Sequence, residues 1–186
     1  RVEIRENTPI DRIRVEQDGV TVGGERYSSA VLAAGAWSGS IQIEGAPPVP
    51  SSEPVRGHLL AYDLQLGACP TILRRGNVYV FQRGNGIVVA GASMEHAGFN
   101  RQIDESIVRD LIRKVADTMP LLARLEPIEI WTGFRPASEH LQLGRWQHTP
   151  LFLAYGHYRN GILLAPITAQ RIAAEILGAR PARTAG

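Results

Sequence analysis

The chain has 186 residues, enough for one domain or two small ones, and its 44% hydrophobic, 20% charged composition with 19 Gly and 12 Pro excludes a fully disordered polypeptide. Twenty basic residues against 18 acidic leave a net charge of +2; the cations are all Arg except Lys114, and they are scattered, with Arg74 and Arg75 the densest pair, so no basic stripe for nucleic acid is present. No apolar run reaches the ~18 residues of a membrane span, and the single cysteine, Cys69, excludes an internal disulfide framework and a multi-cysteine zinc site and fits a reducing, cytoplasmic compartment.

The chain opens Arg1-Val2-Glu3-Ile4, without Met or signal peptide and directly in strand-like alternation, which leads us to expect an upstream part elsewhere. Ile10, Ile13 and Val15 continue the strand pattern. Asp18-Gly19 reads as a hairpin turn, Val20-Thr21-Val22 as the next strand and Gly23-Gly24 as a second turn, giving a small antiparallel meander. Residues 31–36 form a continuous apolar run that suits a strand buried on both faces in a parallel sheet. Its second half is all Ala and Gly, which serves either close packing or the approach of a flat ligand.

Gly45, Pro47, Pro48, Pro50 and Pro54 mark a linker and a domain boundary. Strands are predicted over 57–63, 71–73, 78–83 and 87–92, with tight turns at 75–77 and 84–86, forming an antiparallel sheet. Ile103, Ile107, Leu111 and Val115 recur every four residues beside Val108 and Ile112, predicting a helix over 103–119 that Pro120 stops. Asp104 and Glu105 suit its positive end. Strands follow at 128–134, 141–145 and 151–155. A last helix spans 161–177, with Ile162, Ala165, Ala169, Ile172, Ala173 and Ile176 on one face, Pro166 compatible only with its first turn, and Gly178 as its C-terminal cap. Residues 179–186 read as a frayed tail.

Three stretches carry candidate chemistry. In 156–166, Gly-His-Tyr-Arg-Asn-Gly-Ile-Leu-Leu-Ala-Pro, a strand runs through a glycine-bracketed turn into a helix. The free N–H groups of a helix start favour negative charge and Arg159 adds a cation, although a plain connector with a surface Arg has the same outline. In Trp131-Thr132-Gly133-Phe134-Arg135-Pro136, an Arg sits in an apolar, aromatic segment and needs an anion, either an internal carboxylate or a bound one held as a bidentate fork. In the strand at 78–83, Tyr79, Phe81 and Arg83 share a face that is either core or the wall of a cavity. The five His lack metal-ligand spacing and no GxSxG elbow is present, so we expect no metal site and no serine nucleophile; Cys69 reads as a packed or loop thiol.

Ala33-Ala34-Gly35-Ala36-Trp37-Ser38 resembles the last strand of the FAD domain in glycine oxidases and related D-amino-acid oxidases. Pro54-Val55-Arg56-Gly57-His58 resembles the entry to their substrate domain, and Gly91-Ala92-Ser93-Met94-Glu95, 131–136 and 156–166 follow in the family's order, so the resemblance spans nearly the whole chain. It implies an α+β fold: an antiparallel-sheet substrate domain with a helix (49–148), and the C-terminal portion of a Rossmann-like α/β FAD-binding domain made of 1–48 and 149–178, with 179–186 as tail. It also implies site residues. Arg135 would grip the amino-acid carboxylate, with Tyr79, Met94 and Arg159 at the substrate and Arg135, Tyr79 and Arg159 as the catalytic set. The flavin would meet His157, Tyr158, Arg159, Asn160, Gly161, Ile162 and Leu163, the segment Ala33, Gly35 and Trp37, and, on the adenine side, the backbone of Ile10.

The implied reaction is oxidative deamination of glycine or a small amino acid by hydride transfer to FAD, with the glycine-oxidase branch feeding thiamine thiazole synthesis. Sarcosine and D-amino-acid dehydrogenases are neighbouring alternatives, and a non-catalytic binding or structural module is a reading of another class. The GxGxxG phosphate loop of the family is absent from the chain. We therefore expect the pyrophosphate to be held by a missing N-terminal half, FAD not to stay on this chain alone, and apolar surface left for that half or for a homo-oligomer.

Overall fold

A computed structural model describes residues 2–178, so Arg1 and the tail predicted at 179–186 lie outside the described residues. The chain divides into two compact units: one runs through Glu53 and resumes at Pro136, and the other is Pro54–Arg135.

In the first unit, β1 (Arg12–Glu16), β2 (Gly19–Val22) and β3 (Glu25–Tyr27) form the predicted antiparallel meander. Val22 pairs with Glu25, and Gly23 and Gly24 both have positive φ (57° and 83°), as a two-residue hairpin turn requires. The first turn falls one residue earlier than predicted, on Gln17 and Asp18, because Glu16 already pairs with Gly19. Gly19 instead allows close packing: a Cβ there would lie 2.9 Å from the Tyr27 carbonyl oxygen. The strand-like alternation of Val2 and Ile4 does not form a strand; the two are 86% and 81% exposed, and alternation without a paired neighbour does not hold a strand.

The apolar run at 31–36 is also a strand only in part. β4 (Ala30–Leu32) ends where Gly35 turns to φ 58° and begins a 3-10 helix, Gly35–Ser40. Leu32 is buried and Val31 is 42% exposed, so the strand is buried on one face only. β5 (Gln42–Glu44) then joins β1 in parallel, giving the order β3-β2-β1-β5.

The second unit is built on β6 (Glu53–Asp63), β7 (Leu73–Arg75), β8 (Val78–Gln82) and β9 (Ile87–Gly91), followed by α1 (Glu105–Thr118) and β10 (Glu129–Ala137). The sheet order is β10-β6-β9-β8-β7. Asp104 caps α1, its carboxylate accepting the N–H groups of Ser106 (2.9 Å) and Ile107 (3.2 Å). These bonds to the ionised form, with that of the Ser106 hydroxyl foremost, hold its carboxyl below the usual range. Val108, Leu111 and Val115 bury against Leu60, Tyr62, Val78, Val80, Val88 and Ala90, each large apolar side chain contributing about 1.5–3 kcal/mol. The predicted first helical residue, Ile103, lies before the cap and is 42% exposed.

The chain returns to the first unit at Pro136, earlier than the 149 set by sequence, because β11 (Gln142–Arg145) pairs antiparallel with β12 (Leu151–Tyr155). β12 lies parallel to β4, completing the sheet β11-β12-β4. The last element is α2 (Gly161–Ile176). Pro166 is its sixth residue, beyond the first turn; the carbonyl left without a partner belongs to Ile162, which is 95% exposed and open to water. Gly178, at φ 64°, lies just past the end of the helix.

Candidate functional site

Each unit carries one part of the candidate chemistry. In the second unit, strand alternation sorts the sheet into two faces. Leu60, Tyr62, Val78, Val80, Val88, Ala90 and Ile130 pack toward α1. Tyr79 and Phe81, Leu59 and Gly57, Gly91, Trp131 and Arg135 therefore occupy the opposite face. Tyr79 pairs with Gly91, which pairs with Leu59, and the Tyr79 and Phe81 rings stack with centroids 6.2 Å apart.

Arg135 is half-buried on this face. One of its Nη atoms donates to the Ser93 carbonyl at 3.3 Å, and among the described residues no carboxylate lies within ion-pair distance. Of the two readings open from the segment, an internal salt bridge is therefore not what the structure holds. The guanidinium lies close over Gly57: a Cβ at that position would be 2.6 Å from both Nη atoms. A partly desolvated guanidinium with no carboxylate partner among the described residues is chemically able to receive a planar anion. Tyr79 and Arg135 share the face, with β9 and β6 between their strands.

Met94, 50% exposed, follows Ser93 in the loop after β9 and lines a different cleft, with Asn77, Ser106, Asp110 and Lys114. Tyr79 and Arg135 are not among the residues that line it. Behind Ser93 lies a group of buried polar side chains to which sequence reasoning assigned no chemistry: Arg56, His58 and Glu95. Their motifs were visible in the sequence, but the feature that unites them is a contact between β6 and the 92–95 loop.

In the first unit, an apolar trough of about 610 Å³ lies between the end of β4, β12 and one face of α2. Ala33, Gly35, Ala154, His157, Tyr158, Gly161, Ala165, Ala169, Ile172, Ala173 and Ile176 line it. The α2 face predicted from Ala165, Ala169, Ile172, Ala173 and Ile176 is thus this wall; of the predicted set Ile172 is buried, because nothing among the described residues covers the rest. The mouth of α2 is shaped by the 156–160 turn. Gly156 has φ 87° and a Cβ there would meet the Ser138 side chain at 3.0 Å; Tyr158 has φ 51°, and its N–H donates to the Pro136 carbonyl at 3.1 Å. His157 Nε2 lies 2.8 Å from the hydroxyl of buried Thr168, which fixes the turn to the helix.

Asn160 occupies the N-cap position without a side-chain hydrogen bond to the helix start, so its side chain leaves the first N–H groups of α2 uncapped. Ile162 and Leu163, the next residues, are 95% and 78% exposed. Arg159 is exposed, with its guanidinium 5.8 Å from the Tyr158 ring. Trp37 is 43% exposed and, like Ile10, is not a lining residue of the trough; Ile10 packs on the core formed by Ile13, Val15 and Val20.

Residues 1–175 match the family described as FAD dependent oxidoreductase, DAO. The chain belongs to this family. Among its relatives, the glycine oxidase of Pseudomonas aeruginosa is 29% identical over 194 aligned positions, covering 97% of this chain and 51% of that protein. The bifunctional protein ThiO/ThiG of a Nostoc species is 33% identical over 184 positions, covering 92% of this chain and 27% of that protein. The crystal structure of glycine oxidase from Geobacillus kaustophilus superposes with a TM-score of 0.81 at 25% identity, over 96% of this chain and 52% of that one. The chain spans about half the length of the glycine oxidases it matches.

The trough suits the flat cofactor that the DAO family uses. Its wall is small and apolar, a Cβ at Gly35 would meet nothing within 4 Å, and the uncapped N–H groups of α2 can receive a ring carbonyl. Among the described residues no cluster of His, Cys, Asp or Glu could hold a metal, and no helix is long and apolar enough to cross a membrane.

Proposed function

We propose that this DAO-family chain is the C-terminal portion of a flavin-dependent oxidoreductase that deaminates glycine or another small amino acid. In keeping with the glycine oxidase and ThiO/ThiG relatives, we place its product in thiamine biosynthesis. The observation that carries the reading is Arg135, a half-buried guanidinium anchored to the Ser93 carbonyl with no carboxylate partner among the described residues.

FAD, when bound, supplies the acceptor for the hydride that leaves the amine-bearing carbon. Arg135 binds the substrate carboxylate through its free N–H groups and so fixes where the adjacent carbon lies. Tyr79 presents a phenol on the same face of the sheet, available to a polar substrate atom. In the first unit, Ala33, Gly35 and the α2 face would hold the ring by apolar contact. The uncapped first N–H groups of α2 would offer hydrogen-bond donors that favour negative charge on the bound group, and His157, tied to Thr168, keeps that helix start in place. The imine product hydrolyses in water to the 2-oxo acid (glyoxylate from glycine) and ammonia. The glycine oxidase relatives are about twice as long as this chain; in this reading pyrophosphate binding falls to an N-terminal half outside it, and with this chain alone FAD is held weakly.

The test is Arg135→Ala in the FAD-loaded enzyme that contains this chain. Loss of a carboxylate-gripping charge pair of about 2–5 kcal/mol raises the KM for glycine roughly 30-fold or more. A change below twofold overturns the assignment.

A further inference from the structure

We propose that Ser93 and His58 are positioning residues that hold the guanidinium of Arg135 in place from behind the sheet, with Glu95 and Arg56 locking the loop that carries Ser93. The proposal rests on the reading of Arg135 as the carboxylate receptor. Among the described residues, the one group Arg135 touches through a hydrogen bond is the Ser93 carbonyl, 3.3 Å away. Arg135 leaves β10 and Ser93 lies in the loop after β9, so the direction of that carbonyl decides where the guanidinium rests.

The loop is held to β6 by two kinds of bond. The backbones of Arg56 and Glu95 exchange hydrogen bonds, Arg56 N–H to Glu95 O at 2.9 Å and Glu95 N–H to Arg56 O at 3.0 Å. Their side chains repeat the pairing, with Arg56 Nε 3.0 Å from Glu95 Oε2 and both side chains largely buried, 7% and 16% exposed. Arg56 Nη1 also donates to the carbonyls of Asn100 (3.2 Å) and Gln102 (3.1 Å).

Between these anchors His58 is fully buried and has every ring nitrogen in use. Its Nε2 accepts the Asp104 N–H at 3.1 Å, so the ring proton is on Nδ1. That proton faces Ser93 Oγ at 3.1 Å and Glu95 Oε2 at 3.2 Å. Ser93 Oγ further accepts the His58 backbone N–H at 2.7 Å. Ser93 is thus gripped by its hydroxyl on one side while its carbonyl holds Arg135 on the other. A salt bridge and a buried His that served folding alone would have no need of this second bond.

The experiment compares Ser93→Ala, Ser93→Thr and Arg135→Ala in the FAD-loaded enzyme. The readouts are KM and kcat for glycine, the dissociation constant of acetate followed by the flavin spectrum, and the melting temperature. Removing the hydroxyl frees the carbonyl to turn, so Ser93→Ala is expected to raise both KM and the acetate constant about tenfold, the size of one lost hydrogen bond. kcat at saturating glycine stays within threefold, and Ser93→Thr, which restores the hydroxyl, brings both constants back within twofold of the parent. Should Ser93→Ala not fold, Glu95→Gln, which removes the charge at nearly constant volume, is expected to give the same KM-weighted change. Unaltered KM and acetate binding in Ser93→Ala, or equal losses in kcat and melting temperature that Thr does not rescue, overturn the positioning role. An Arg135→Ala variant with normal KM instead overturns the functional reading on which the proposal stands.

Discussion

Gly57→Ala places a single methyl group under the guanidinium of Arg135. The new Cβ would stand 2.6 Å from both Nη atoms and 2.9 Å from the Ser93 carbonyl oxygen, about 0.8 Å and 0.5 Å short of the 3.4 Å at which ordinary contact begins. The guanidinium is the far end of a flexible side chain and yields first, so the sheet is kept and the charge moves by nearly an ångström. A displacement of about 1 Å in a substrate-orienting group can cost up to ~10²-fold in rate. We therefore expect kcat/KM for glycine to fall about 10- to 100-fold, equivalent to about 1.4–2.7 kcal/mol. The assay is anaerobic flavin reduction as a function of glycine concentration, with thermal melting in parallel. Gly84→Ala, where a Cβ meets nothing within 4 Å, serves as the control and is expected to behave as the parent. A Gly57→Ala enzyme with kcat/KM within twofold of the parent refutes the reasoning. A melting temperature lowered by more than about 5 °C would show that the Ser93 backbone, not Arg135, had given way.

Other outcomes follow from the buried polar groups. The Tyr62 hydroxyl is buried without a hydrogen-bond partner among the described residues, so Tyr62→Phe is expected to raise stability by about 1 kcal/mol in urea unfolding; a loss of that size would point to an unseen partner. Burial, with the nearby charge of Glu126, pushes the Tyr62 phenol up to about 12, and burial does the same for Tyr155. Both phenols ionise near 10 when unfolded. Their contribution is therefore whole below pH 10 and is lost as the pH climbs from about 10 to about 12, and Tyr62→Phe should make that decline shallower. Thr168→Val removes the 2.8 Å contact to His157 and is expected to weaken FAD binding about fivefold by loosening the 156–160 turn; unchanged affinity would separate that turn from the cofactor.

Local chemistry made much of the fold legible. Gly23-Gly24 had to be a two-residue turn because only such residues accept its two positive φ values cheaply. The four-residue recurrence from Ile107 to Val115, closed by Asp104 and Pro120, located α1 to within a residue or two. The run at 31–36 was misread because a continuous apolar stretch looks the same whether it is one strand or a strand that turns into a 3-10 helix, and Gly35 permits both. Resemblance to the DAO family picked out Arg135, Tyr79 and the helix start at 161 as candidates. It did not say whether Arg135 had an internal partner.

By itself, then, the sequence determined the hairpins, the two helices, the order of the motifs and the family to which they belong, since each depends on residues near one another in the chain. Only the tertiary structure decided what surrounds the candidate groups. It brought Gly57 of β6, Ser93 of the loop after β9 and Arg135 of β10 to one point, and it placed Met94 in another cleft. It also left the apolar face of α2 as the wall of a trough rather than as core. Those outcomes depend on strand order and register, which pair residues dozens of positions apart and leave no trace in the periodicity of any one segment.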